Sequence, residues 1–174
     1  MRMSKTFVLI HGSWHGGWAW KDVIRRLSEK GYGAHAPTLA GHGPGVTRLG
    51  ITHQECVASV VTYFQQHGLE DVILVGHSFG GSVVQKVAEQ VFNRIARIVF
   101  LDALVLEDNQ CVLDILPSEF AALVNDLAAA SSDNTMLILG KSGVTILSRT
   151  HQSQWRGLFG SSCPQSLIRS TWTS

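Results

Sequence analysis

No segment of the 174-residue sequence is long and apolar enough to cross a membrane. There is no charge excess either: 14 basic and 13 acidic residues leave a formal net charge of +1. That balance argues against nucleic acid or a polyanionic surface as the main partner. The three cysteines, Cys56, Cys111 and Cys163, are scattered and make neither a disulfide framework nor a metal spacing. His-Glu-x-x-His and Cys-x-x-Cys are both absent, and the eight histidines are dispersed. No metal site and no cofactor is therefore expected. Met1 to Lys5 lead straight into an apolar run, without the apolar region and small-residue cleavage site of a signal peptide. A reduced cytoplasm is the simplest expected setting. Acidic residues vanish altogether from Asn134 to Ser174, where Lys141, Arg149, Arg156 and Arg169 supply the formal side-chain charges and serine and threonine are frequent.

What is present is more specific. Val72-Ile-Leu-Val75 runs directly into Gly76-His77-Ser78-Phe79-Gly80, and Val84, Val87 and Ala88 then recur at helical spacing. A serine at a sharp strand-to-helix turn projects its hydroxyl clear of the sheet. The helix that follows aims its amide hydrogens and positive dipole end at that serine. Ser78 is thus the candidate nucleophile. A second motif matches it: Thr6-Phe-Val-Leu-Ile10 reads as a buried strand ending in the glycine-rich turn His11-Gly-Ser-Trp-His-Gly-Gly-Trp18. Acyl transfer needs backbone donors for a developing oxyanion. The candidates are the amides of Ser13 and of Phe79, the residue after the nucleophile.

These two motifs, together with Pro37-Thr-Leu-Ala-Gly-His-Gly43, resemble the α/β-hydrolase superfamily, and the opening residues are similar to its small methylesterase and hydroxynitrile-lyase-like branch. The resemblance covers about residues 5 to 130. It implies a mostly parallel sheet with helices on both faces and a Ser-acid-His triad, in that chain order, at the carboxyl ends of the strands. It also implies that residues 104–130 form a cap over the site, where the residues alone read equally as another packing helix.

The pattern along the chain agrees with an α/β fold in a single domain over residues 1–174. Strands are expected at about 6–10, 32–36, 72–76 and 95–101, the last ending at Asp102-Ala103. Helices are expected at about 18–30, with Val23, Ile24 and Leu27 on the buried face, from Thr52 with a Thr52/Glu55 capping box, and after Gly80. Alternating strand and helix is the signature of a parallel sheet with right-handed crossovers. Trp14, Trp18 and Trp20 suggest an apolar acyl or aryl pocket, unless two or more belong to the core.

The tail, 134–174, departs from that pattern and makes the fold shorter at its carboxyl end than the resemblance implies. Met136–Leu139 and Val144–Leu147 read as short strands. His151 is the one histidine after Ser78, which makes it the candidate base. Asp102 is the best-placed acid, although an aspartate at a strand end also reads as a turn or helix cap, and Asp108, Asp114 and Asp126 remain open. The tail is either a native short ending that supplies His151 or sequence introduced by a shifted frame or truncation, which the change in composition near Thr135 favours. Missing sheet neighbours would leave a strand edge that a homodimer or the tail could cover.

Three functions follow as expectations. The first is a cofactor-free serine hydrolase acting on a small carboxylic ester or lactone, with Ser78, His151 and Asp102 as triad. The second is a non-catalytic or impaired protein on the same fold. The third is a lyase, for which the resembling members place a lysine beside the catalytic histidine; no such His-Lys pair occurs here.

Overall fold

The computed structural model describes residues 5–132. Four parallel strands form one sheet in the order β2-β1-β3-β4: β1 (Thr6–Ile10), β2 (Gly33–His35), β3 (Val72–Ser78) and β4 (Ile95–Ala103). Thr6 to Ile10 pair in register with Val72 to Gly76, which sets the two motif-bearing strands side by side. Both then end at the same edge of the sheet.

Helices cover both faces. On one face, α2 (His53–Gln66) and α3 (Gly80–Val91) bury Val57, Val60, Phe64, Val83, Val84 and Val87 against Val8, Ile10, Val72 and Leu74. On the other, α1 (Lys21–Glu29) lays Ile24 and Leu27 over a smaller cluster of Leu9, Trp20 and Val75. The α2 start is set as the sequence predicts: Thr52 Oγ1 accepts from the Glu55 amide, and Glu55 Oε2 accepts from the Thr52 amide at 2.6 Å. Two orphan donors of the first turn are thereby satisfied.

Several details differ from the expectation. The helix expected at 18–30 is a 3-10 turn, Gly17–Trp20, followed by α1, and no residue of α1 is fully buried. Val23 is exposed, because α1 covers only part of its face of the sheet. Of the three tryptophans only Trp20 is core; Trp14 and Trp18 are exposed. The helix after Pro117 forms as α4 (Ser118–Ala130), with Ala128 its one buried residue. The strand β4 is apolar yet none of its nine residues is buried, since β3 is its only strand neighbour among the described residues. His151, the apolar runs at 136–139 and 144–147 and the rest of the tail lie outside the described residues.

Phe64 is fully buried and sits where α2 meets the sheet. Phe64→Ala should cost about 3–5 kcal/mol, the usual loss for an emptied aromatic site, read as a lower urea midpoint with an unchanged slope.

Candidate active site

Ser78 is the last residue of β3 and has φ +52°, a left-handed conformation unfavourable for a residue with a Cβ. Phe79 returns to right-handed geometry and α3 starts at Gly80. That reversal is the sharp turn the motif requires. Gly80 has no alternative there: a Cβ on it would lie 2.7 Å from the His11 carbonyl and 2.8 Å from that of Ile10. The first turn of α3 therefore touches the end of β1 directly. Gly12 closes the approach from the other side, since its Cβ would come within 2.9 Å of the Ser78 Cβ. The glycine-rich turn and the nucleophile are in van der Waals contact.

Trp14 (φ +62°) and Asp102 (φ +44°) share the left-handed conformation with Ser78. The three follow or close β1, β4 and β3 at one edge of the sheet; Asp71, just before β3, and Asn109 share the conformation elsewhere. Ser78 pairs with Ala103, and its carbonyl accepts from the Leu104 amide at 2.9 Å. Asp102 thus ends the strand beside the nucleophile. Its exposed carboxylate has no hydrogen bond or ion pair among the described residues, so it caps no described helix, while its left-handed backbone suits an aspartate at a turn. Asp114 accepts from the Cys111 amide at 2.7 Å and caps a short turn; Asp108 and Asp126 are exposed.

His11 is not a base. Its Nε2 accepts from the Leu39 amide at 3.0 Å, and its Nδ1–H donates to the Gly12 carbonyl at 2.8 Å. Both bonds need the neutral ring, and burial holds the pKa down at about 4. The consequence reaches the candidate oxyanion donor. The Gly12 carbonyl and the Ser13 N–H belong to one planar trans peptide and point in opposite directions. By holding the carbonyl, His11 fixes where the Ser13 N–H aims. Among the described residues neither the Ser13 nor the Phe79 amide donates to a protein acceptor.

Some supporting residues escaped the sequence reading. Ser82 Oγ donates to the Phe79 carbonyl at 2.9 Å and accepts from His53 Nε2 at 3.1 Å. His53 is buried, with a pKa lowered to about 4 by burial and then by Lys86. The Phe79 ring stacks on His42 and meets the edge of His53. Gln85 donates to the Leu106 carbonyl and accepts from its amide, both at 2.9 Å, tying the segment after β4 to α3. Apart from the local Ser82–Phe79 bond, these contacts join segments far apart in the chain and have no local sequence signal. Cys56 is not an alternative nucleophile: burial, then Glu55, raises its thiol pKa to about 12. Among the described residues no three histidine, cysteine or acidic side chains gather to hold a metal, and no helix is long and apolar enough to cross a membrane.

The sequence profile of the Alpha/beta hydrolase family matches residues 7–173. The chain belongs to that family. It is 38% identical over 113 residues to a carbendazim hydrolyzing esterase of Nocardioides sp. (strain SG-4G), covering 64% of this chain and 47% of that protein. It is 35% identical over 103 residues to methylesterase 7 of Arabidopsis thaliana, covering 57% of this chain and 40% of that one. Among solved structures it is similar to an extracellular alpha/beta-hydrolase from a Paenibacillus species that shares structural and functional homology with tobacco salicylic acid binding protein 2. The TM-score is 0.74 at 44% identity, covering 78% of this chain and 55% of the other. The chain therefore spans about half the length of these relatives.

The two buried histidines make stability depend on pH. Their folded pKa values of about 4 lie below the ordinary 6.5. As pH falls through that window the unfolded chain takes up protons that the folded one refuses. Stability is full above the upper value and falls toward the lower, by roughly 3 kcal/mol per histidine. Melting temperature followed across the window should drop steeply, and His53→Gln should flatten the drop.

Proposed function

We propose that this protein is a serine esterase that cleaves a small carboxylic ester or lactone through an acyl-enzyme at Ser78. The reading rests on one observation above the others: a strained serine at a strand-to-helix turn, in contact with a glycine-rich turn, beside two backbone N–H groups with no acceptor among the described residues. In the proposed reaction Ser78 Oγ attacks the ester carbonyl and His151 takes its proton. The Ser13 and Phe79 amides hold the oxyanion, and Asp102 orients the imidazolium. Collapse releases the alcohol with that proton, and water repeats the sequence to free the acid. No cofactor takes part.

His151 is taken as the base because it is the one histidine that follows Ser78 in the chain, the order of the family's triad. The reading is supported by His11, which has both ring nitrogens engaged, and by His53, which is buried behind Phe79. The relatives named as esterases support ester chemistry, and the exposed Trp14 and Trp18 beside the turn suit an apolar acyl or aryl group. In the same reading α4 belongs to a cap over the site. Cys56 and Cys111 are buried thiols outside any disulfide among the described residues, which suits a reducing cytoplasm.

An impaired site is the second reading, favoured by the change in composition near Thr135, since the proposed base lies in the segment that follows it. Fluorophosphonate labelling and turnover of p-nitrophenyl esters separate the two. The esterase reading expects labelling at Ser78 and loss of turnover in Ser78→Ala with the melting temperature unchanged. His151→Ala should then lower kcat by several orders of magnitude, much as Ser78→Ala does, because triad members act as a unit. Turnover unaffected by His151→Ala would show that His151 is not the base and leave residual catalysis of about 10³-fold to the amides and positioning.

A further inference from the structure

One cluster of titratable rings lies away from Ser78, where the outer strand β2 meets the last turn of α2. Tyr63 is its centre. The His67 ring stacks on the Tyr63 ring at 3.9 Å between centroids, and His35 Nδ1 lies 3.1 Å from the Tyr63 hydroxyl. His67 Nδ1–H donates to the Tyr63 carbonyl at 3.0 Å. The centroids of His35 and His67 are 5.7 Å apart. Dispersed histidines gave no expectation of such a pair, and the fold unites residues thirty-two positions apart in the chain.

From this geometry we propose that His35 and His67 form a surface site for a divalent late transition metal ion, bound through the two Nε2 atoms and completed by solvent. Each ring has its Nδ1 tied to Tyr63, and neither Nε2 has a hydrogen-bond partner among the described residues. Anchoring the far nitrogen is how proteins orient a metal-bound imidazole and fix its tautomer. With metal–nitrogen distances of about 2.0–2.1 Å, two imidazoles on one ion bring their centroids to about 5 Å. The observed spacing needs an adjustment of less than about 1 Å. His67 is exposed and His35 half-buried, so the ion enters from solvent. Imidazole donors favour copper, nickel and zinc over magnesium and calcium, with copper(II) the tightest.

The site is independent of the proposed esterase reaction. Titrating the tag-free full chain with copper(II), followed by its electron paramagnetic resonance spectrum, tests it. The expected result is one equivalent bound with the splitting of two imidazole nitrogens, a rise in melting temperature, and none with magnesium. H67Q changes an exposed side chain and should fold normally; it and H35Q should each weaken binding at least tenfold. Tyr63→Phe, which frees His35, should weaken it by about tenfold. No binding at one equivalent, or binding in H67Q as tight as in the unaltered chain, overturns the proposal.

Discussion

The approach of α3 to the end of β1 is the contact on which the rest of the site depends. It leaves no room for a side chain at Gly80, because two main-chain carbonyls occupy that space. Only with the helix this close does Ser78 turn into a left-handed conformation beside Gly12. The parallel register of β1 with β3 brings both turns to one edge, and the buried valines of α3 hold the helix down on the sheet. The geometry of Ser78 is therefore a product of core packing and not of the turn alone.

A second layer of polar contacts keeps that arrangement rigid. His11 spans three pieces of chain: its own strand end, the Gly12–Ser13 peptide and the Leu39 amide. Ser82 and His53 do comparable work behind Phe79, and Gln85 ties down the segment after β4. In this layer the buried side-chain donors of His11, His53 and Ser82 each find an acceptor, which low-dielectric surroundings favour. The histidines in this layer function as neutral hydrogen-bonding groups, and their depressed pKa values reflect that role.

The elbow, the glycine-rich turn, the capping box of α2 and the parallel sheet were all legible in the sequence, because each demands particular residue types at fixed short spacings. His53, Ser82 and Gln85 were not, since their partners lie between twenty-one and twenty-nine residues away or depend on how two helices cross. Periodicity put Val23 on a buried face but could not show how little of the sheet α1 covers. Apolar β4 reads as an interior strand from its residues, yet its burial is decided by neighbours beyond its own span. Tryptophan is ambiguous by nature, large enough for a core and common at the surface of sites; Trp20 is in the core, and Trp14 and Trp18 are exposed.

The thiol of Cys56 has a consequence for how this protein's unfolding can be watched. It lies on the inner face of α2, almost fully buried, with its pKa pushed up to about 12. Modification by an alkylating reagent requires both access and thiolate, and the folded molecule supplies neither. Covalent capture at this position therefore counts excursions in which α2 lifts from the sheet. The helix that covers the Phe64 core carries its own reporter of opening, and the reagent's rate law distinguishes detachment of that helix from collapse of the whole sheet.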